Sequence, residues 1–455
     1  MKKFVRTLVS TDFNSMLIKL SIFFVLMVLT LLNFYITLAA FLWILCLIII
    51  EKSYNSLIWV ILYFVCHPYA PSLFMFPLIL IFLLILIIKF VEDIIKKRTE
   101  IHAFNNILIL IIGFIITALF MLPLTPHYSF FMSCRESVAI MVLTIIFINH
   151  DKLDIKMLMK ITAIFIALYC IVHNIIGTLE LCYYRQIIYG NVNRYSLFLD
   201  DPNYTAGLVL IALISTCVLY KNKDINNWLF YSLFISLGVC LMNTVSKAGF
   251  IVYALLVIVT LIDKIIVIAK NKSRETKREL IYFILSLIAV CLLAGNATIA
   301  MLSRVFSFTA VAPENQVAEL TTDRWDLILI YLKGVFDTPY EAIFGHGLAA
   351  PLLAYAPGDY RDTHCIALSL AYTLGIIVVI LIICLYIISI VKAKKKLHWF
   401  NICMSGLVLL MYMSLSAHIF SQFYVFVFVF ILALGLNQKS ENEVELQQTK
   451  DKNDI

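Results

Sequence analysis

The chain has 455 residues, of which 62% are hydrophobic and only 14% charged, with a mean hydropathy of +0.97. A soluble domain of average make-up is roughly 45–50% apolar and about 25% charged, and a water-soluble fold of this size cannot hide so much apolar side chain, because the buried fraction rises only slowly with length. Composition therefore excludes a soluble enzyme, a disordered chain and a nucleic-acid-binding module, and it predicts an all-α polytopic membrane protein.

The formal net charge of +7 is dispersed along the chain. Nucleic-acid binding asks for a continuous basic face, whereas here Lys and Arg punctuate apolar runs, as topology signals do. The eleven cysteines make no CxxC or Cys/His cluster. Those inside apolar runs (Cys46, Cys170, Cys217, Cys240, Cys291, Cys384 and Cys403) read as buried thiols packing like small hydrophobes. Cys134 and Cys182, near predicted external ends, leave one disulfide pairing open.

A membrane span takes about 20 apolar residues. Apolar runs lie at 16–32, 34–50, 54–69, 72–90, 104–122, 137–149, 157–178, 204–220, 227–243, 248–268, 280–301, 365–391, 400–417 and 419–437, which predicts 12–14 spans. The first run has no small-residue cleavage site behind it and reads as an uncleaved span. Lys2, Lys3 and Arg6 put the N-terminus in the cytoplasm. The connectors with Lys96-Lys97-Arg98, Lys152 and Lys156, Lys221 and Lys223, Lys270 to Arg278, and Lys392 to Lys396 then all fall on that side, as the positive-inside rule requires. The reading is thus a bundle over 1–301 with an external loop at 179–203, a large external loop at 302–364, C-terminal spans over 365–437 and a polar cytoplasmic tail at 438–455. It belongs in the cytoplasmic membrane, with both termini inside.

Long loops on a rigid scaffold are where function concentrates. In the larger loop, the stretch from Thr321 reads as an amphipathic helix: Thr322 suits its cap and Asp323 its first turn. Trp325, Ile328, Leu329, Leu332 and Phe336 supply an apolar face at helical spacing, and Pro339 ends it. Such a helix lies on the outer face of the membrane or packs over the spans. Gly345-His346-Gly347 makes a tight loop, with His346 read as a turn residue. Asp359-Tyr360-Arg361-Asp362-Thr363-His364 then leads into a span containing Gly375. In the smaller loop Arg194 precedes Asp200-Asp201-Pro202-Asn203-Tyr204, and a third external turn reads Asn243-Thr244-Val245-Ser246-Lys247-Ala248-Gly249.

The order of these motifs resembles the O-antigen ligase and O-antigen polymerase family of bacterial surface polysaccharide assembly. The shared order is an arginine ahead of D-P-N-Y, then T-x-S-[RK]-x-G, then a large loop with D-R-W, G-x-G and a terminal histidine. The resemblance covers roughly Arg194 to Gly375. Two positions depart from the usual pattern: Lys247 stands where arginine is common, and Cys365 where asparagine often follows the histidine.

The resemblance implies a metal-independent glycosyltransferase that needs no cofactor. Its donor is a glycan carried on undecaprenyl pyrophosphate at the outer membrane face, and its other partners are the bilayer and a chain-length regulator protein. It implies His364 as the base on the attacking hydroxyl, because imidazole titrates near working pH. Arg194 and Arg324 correspond to the catalytic arginines facing the leaving pyrophosphate, since guanidinium grips phosphate oxygens in pairs. Arg304, Arg361 and Lys247 are the further substrate-binding candidates; the lysine keeps the charge without the planar fork.

Each residue also has a plainer reading. His364 alone fits a membrane-interface residue, Arg194 a snorkelling arginine, Arg324 the solvated face of a helix, and Asp200-Asp201-Pro202-Asn203 a helix start. Within the family, polymerisation of repeat units and ligation of finished glycan are both open, and a composition rich in Lys, Ile and Asn tips the balance toward polymerisation. The competing class is a transporter such as a flippase. It would place paired charges or broken helices near the midplane, whereas charges here are expected to avoid the span centres.

Overall fold

A computed structural model describes residues 12–30, 33, 35–50, 58–59, 62, 154–178, 187–189, 192–194, 202–306, 324–346, 353–356, 359–360, 365–377, 379–380, 384, 387 and 399–414. The expected spans at 72–90, 104–122, 137–149 and 419–437, nearly all of 54–69, and the polar tail lie outside these residues. So do the basic clusters at 2–6, 96–98 and 392–396, together with Cys134 and Cys182.

Two apolar helices, α1 (Phe13–Thr30) and α2 (Ile36–Ile50), pack on each other. They are turned back by Asn33, whose side-chain carbonyl accepts the Tyr35 N–H at 3.0 Å, a local bond that lets asparagine replace the helix with a turn. Helix α3 (Ile155–Thr178) lies against α1, with Phe165 stacked on Phe23 at 5.2 Å between ring centres. The ribbon β1 (Ile187–Tyr189) and β2 (Val192–Arg194) pairs antiparallel. Then come α4 (Pro202–Lys221), α5 (Asn227–Asn243), α6 (Lys247–Asn271), α7 (Arg274–Leu293) and α8 (Gly295–Phe306). The remainder comprises α9 (Arg324–Val335), α10 (Pro339–Phe344), the ribbon β3 (Ala354–Ala356) with β4 (Asp359–Tyr360), α11 (Ile366–Leu374) and α12 (Trp399–Ser414).

The core is built around α4. Every residue from Thr205 to Leu219 is buried, as befits a helix that is apolar all round, and α3, α5, α6 and α12 surround it. Three described helices are long and apolar enough to cross a membrane: α1, the stretch Lys156–His173 within α3, and α6. The pair α7 plus α8 brings the number to as many as four, while α2, α5, α12 and Thr205–Lys221 within α4 are apolar but shorter.

Polar groups gather at the two ends of the α4–α7 bundle. At one end, Lys156 pairs with Asp224 at 3.2 Å, Lys221 with Asp263 at 2.7 Å and Lys264 with Glu279 at 3.6 Å. The Lys264 ammonium sits 4.8 Å from the centre of the Tyr220 ring, an attraction that strengthens where water is excluded. Three of the basic connectors predicted to share a side, those with Lys156, with Lys221 and Lys223, and with Lys270–Arg278, thus meet at this one end; Lys152 lies outside the described residues. Charge nevertheless enters the helices further than expected, since Lys19 in α1 and Asp263 and Lys264 in α6 are buried.

The all-α class stands, with two short ribbons confined to the loops, one inside the 179–203 loop and one inside the larger loop. Three other expectations need correction. The run at 280–301 is not one straight helix: α7 stops at Leu293 and α8 leaves it at 90°. The run from 365 is interrupted at Gly375, so α11 is only nine residues long. Cys46, Cys291 and Cys384 are exposed on their helices, while Cys170, Cys217 and Cys240 are buried as expected.

Candidate functional site

The end opposite the ion pairs is formed by the N-termini of α4 and α6 and by the short helix α8. Helix α4 opens at Pro202, where a missing N–H costs nothing and φ is preset for a helix. Helix α6 opens behind Ser246, whose side-chain oxygen accepts the Gly249 N–H at 3.2 Å, a cap worth about 1 kcal/mol. The same hydroxyl donates to the side-chain carbonyl of Asn203 at 2.7 Å. One bond therefore joins the D-P-N segment to the T-x-S-K-x-G turn. Gly249 makes the close approach of the two helices feasible, because a Cβ there would stand 2.9 Å from that of Ala206.

Between α5 and α6 the chain turns through Val245, a non-glycine residue held at φ 47°. That backbone aims the Val245 carbonyl at α8, where the Arg304 guanidinium donates to it at 2.6 Å. Lys247 is the first residue of α6, two positions beyond the same carbonyl. This end thus holds two cationic side chains and the positively signed N-termini of α4 and α6, with the C-termini of α5 and α7 beside them. Of the predicted substrate-binding residues, Arg304 and Lys247 are brought together here.

The remaining predicted residues are placed by their elements. Arg194 ends β2 and pairs in register with Ile187. Arg324 is the first residue of α9, so the amphipathic helix exists where it was expected; Thr322 and Asp323 lie outside the described residues. Its buried face, however, is Leu327, Tyr331 and Val335, while Trp325, Leu329, Leu332 and Phe336 are exposed. The packing against α11 decided this, because Tyr331 and Val335 form a small core with Ala371 and Tyr372. Arg361 and His364 lie outside the described residues, in the segment between β4 and α11.

The α10–α11 junction explains Gly345 and Gly375, while Gly347 lies outside the described residues. Thr338 caps α10 by accepting the Glu341 N–H at 3.2 Å, and its hydroxyl donates to the Glu341 carboxylate at 2.9 Å. The helix ends on Gly345 at φ +73°. Across from it, Gly375 interrupts α11 at φ +87° and ψ 161°, a conformation essentially confined to glycine. The two backbones touch so closely that a Cβ on Gly375 would fall 1.9 Å from the Ile343 carbonyl oxygen. The break frees the Tyr372 carbonyl from its helical partner, and the His346 N–H donates to it at 2.8 Å. His346 Nε2 lies 3.0 Å from the Gly334 carbonyl and Nδ1 lies 3.4 Å from the Glu341 carboxylate. His346 is thus the structural turn residue its sequence context predicts.

Among the described residues no group of three His, Cys, Asp or Glu side chains is placed to hold a metal ion. The Asn203–Ser246 contact and the Val245 carbonyl were invisible to motif reading, since the two partners of the first are 43 positions apart. The class the fold defines is a helical protein whose longest helices suit a membrane. Comparison with family models, with curated proteins and with solved structures finds no match to this chain.

Proposed function

We propose that the protein is a multi-pass membrane glycosyltransferase that polymerises undecaprenyl-pyrophosphate-linked repeat units into a surface polysaccharide at the outer face of the cytoplasmic membrane. The observation that carries this reading is the 2.7 Å bond between Asn203 and Ser246. It joins two of the motifs of the family resemblance, D-P-N-Y and T-x-S-K-x-G, at the end of the bundle away from the ion-paired basic connectors, with Arg304 and Lys247 beside it. A dianionic pyrophosphate suits an end made of helix N-termini and cationic side chains.

In the reaction the terminal hydroxyl of a new repeat attacks the anomeric carbon of the growing chain. The bond from that carbon to the pyrophosphate oxygen breaks, and the lipid pyrophosphate leaves with the bonding electrons. His364 takes the hydroxyl proton as it attacks, a role typically worth ~10²–10⁴-fold, and Arg194 and Arg324 face the departing charge. Transfer of a finished glycan to lipid A core or another acceptor is the second reading, because the same order of motifs serves it. A chain-length regulator is the expected protein partner of the polymerase.

The test is a gel of lipid-linked and surface glycan from cells lacking the protein, complemented with wild type or His364→Ala. A single lipid-linked repeat in the null, a ladder with wild type and no ladder with the variant is the expected outcome. Accumulation of full-length lipid-linked polymer in the null would replace the polymerase by the ligase. A normal ladder from the variant would remove His364 as the base.

A further inference from the structure

Helix α8 divides its surface into three sectors, where a helix packed only against protein and water has two. Ala297, Met301 and Arg304 form one stripe toward the bundle: Met301 is buried, Ala297 packs on the core, and Arg304 bonds the Val245 carbonyl. Asn296 and Ser303 form an exposed polar stripe. Between the polar stripe and the core lies an exposed apolar one of Ile299, Leu302 and Phe306, at 69%, 40% and 57% exposure.

The direction of the helix matters as much as its faces. It departs from α7 at 90°, and its 12 residues extend about 18 Å, too short to cross a hydrocarbon layer of about 30 Å. Its apolar stripe follows directly from the exposed Leu292 and Leu293 at the end of α7, below which Ile281, Leu285 and Ile288 are exposed as well. Helix α9 repeats the division independently. Leu327, Tyr331 and Val335 pack on protein, Asp326 and Lys333 are exposed, and Trp325, Leu329, Leu332 and Phe336 form the exposed apolar stripe between them.

We infer that α8 lies in the plane of the bilayer surface, its Ile299/Leu302/Phe306 stripe in the acyl chains of the leaflet at the Asn203–Ser246 end and Arg304 bolting it to the Val245 carbonyl. Three sectors then correspond to three media: protein, lipid and water. A bare helix presenting this stripe to water would keep its apolar surface wet, at a cost that grows with the area exposed. Continuity with the exposed face of α7 fixes the occupant as bilayer lipid. Arg304 is on this inference a positioning residue that sets the height of the Val245 turn at the lipid boundary. The inference rests on the membrane reading of the chain but not on its chemistry.

The experiment places the photo-crosslinker benzoylphenylalanine at Ile299, Leu302, Phe306, Asn296 or Ser303 of the full chain in phospholipid nanodiscs and reads adduct mass. Phospholipid adducts at 299, 302 and 306 and their loss at 296 and 303 are expected, with the contrast between faces disappearing in Arg304→Ala. Adducts to the protein itself or to a second copy at the apolar positions, or equal lipid labelling of both faces, would overturn the inference. A contrast that survives Arg304→Ala would overturn the role of the bolt. None of these readouts depends on polysaccharide synthesis, so failure here and failure of the glycosyltransferase reading are separately visible.

Discussion

Ser246 carries two duties through one hydroxyl. It accepts the Gly249 N–H as the cap of α6 and donates to Asn203 on α4, so its loss frays one helix start and unlocks it from another. Ser246→Ala should lower stability by about 1 kcal/mol for the cap, and Asn203→Ala by a comparable amount. Because the pair shares a bond, the two changes together should cost less than their sum, with a coupling of about 0.5–1.5 kcal/mol. Thermal unfolding of the four purified proteins in detergent measures this, and strict additivity would show that the bond contributes nothing. Each partner was conspicuous in the sequence as part of a motif. Their contact was not, because hydrogen bonding between residues on different helices depends on how α4 and α6 are brought side by side.

At the scale of elements, the breaks are more informative than the helices. The lengths and apolar content of α1, α2, α3, α5 and α6 follow closely from the apolar runs. The 90° bend before α8 and the interruption of α11 do not, since the runs stay apolar through both. Gly375 takes a backbone conformation that costs other residues of order 1–3 kcal/mol, and the Ile343 carbonyl leaves no room for a Cβ. Gly375→Ala should therefore undock α10 from α11, lowering the unfolding midpoint and opening the chain near Tyr340–Phe344 to protease. Gly295→Ala, whose Cβ would meet nothing within 4 Å, should leave both unchanged and serves as its control. Equal behaviour of the two variants would contradict the packing described for this junction. The rotated face of α9 has a similar origin: the sequence offers two apolar stripes, and the docking of Tyr331 and Val335 on Tyr372 selects one of them.

For the whole molecule, the segregation of charge is the organising feature. Ion pairs join α3 to the α4–α5 turn, α4 to α6 and α6 to α7 at one end, and the Asn203–Ser246 and Arg304–Val245 bonds tie the other. Among the described residues the connectors with Lys156, Lys221 and Lys223, and Lys270–Arg278 lie at that first end, the arrangement the positive-inside rule asks of cytoplasmic connectors. Reporters inserted at Lys272 and at Ala310 should accordingly report opposite sides of the membrane, the first cytoplasmic. Reporting from the same side would dismantle the proposed orientation and, with it, the outward placement of Arg304 and Lys247.

Apolar content and the positions of the runs foretold the long apolar helices from sequence alone, three of which among the described residues are long and apolar enough to cross a membrane, because an apolar run is a one-dimensional property of the chain. The candidate residues Arg304 and Lys247 were also visible there as charges near run ends. Which apolar stripe of α9 is buried, where α7 bends, why Gly345 and Gly375 are glycines, and that Asn203 meets Ser246 were decided only by tertiary structure. These depend on atoms from distant segments competing for the same space and the same hydrogen bonds, and no local pattern encodes that competition.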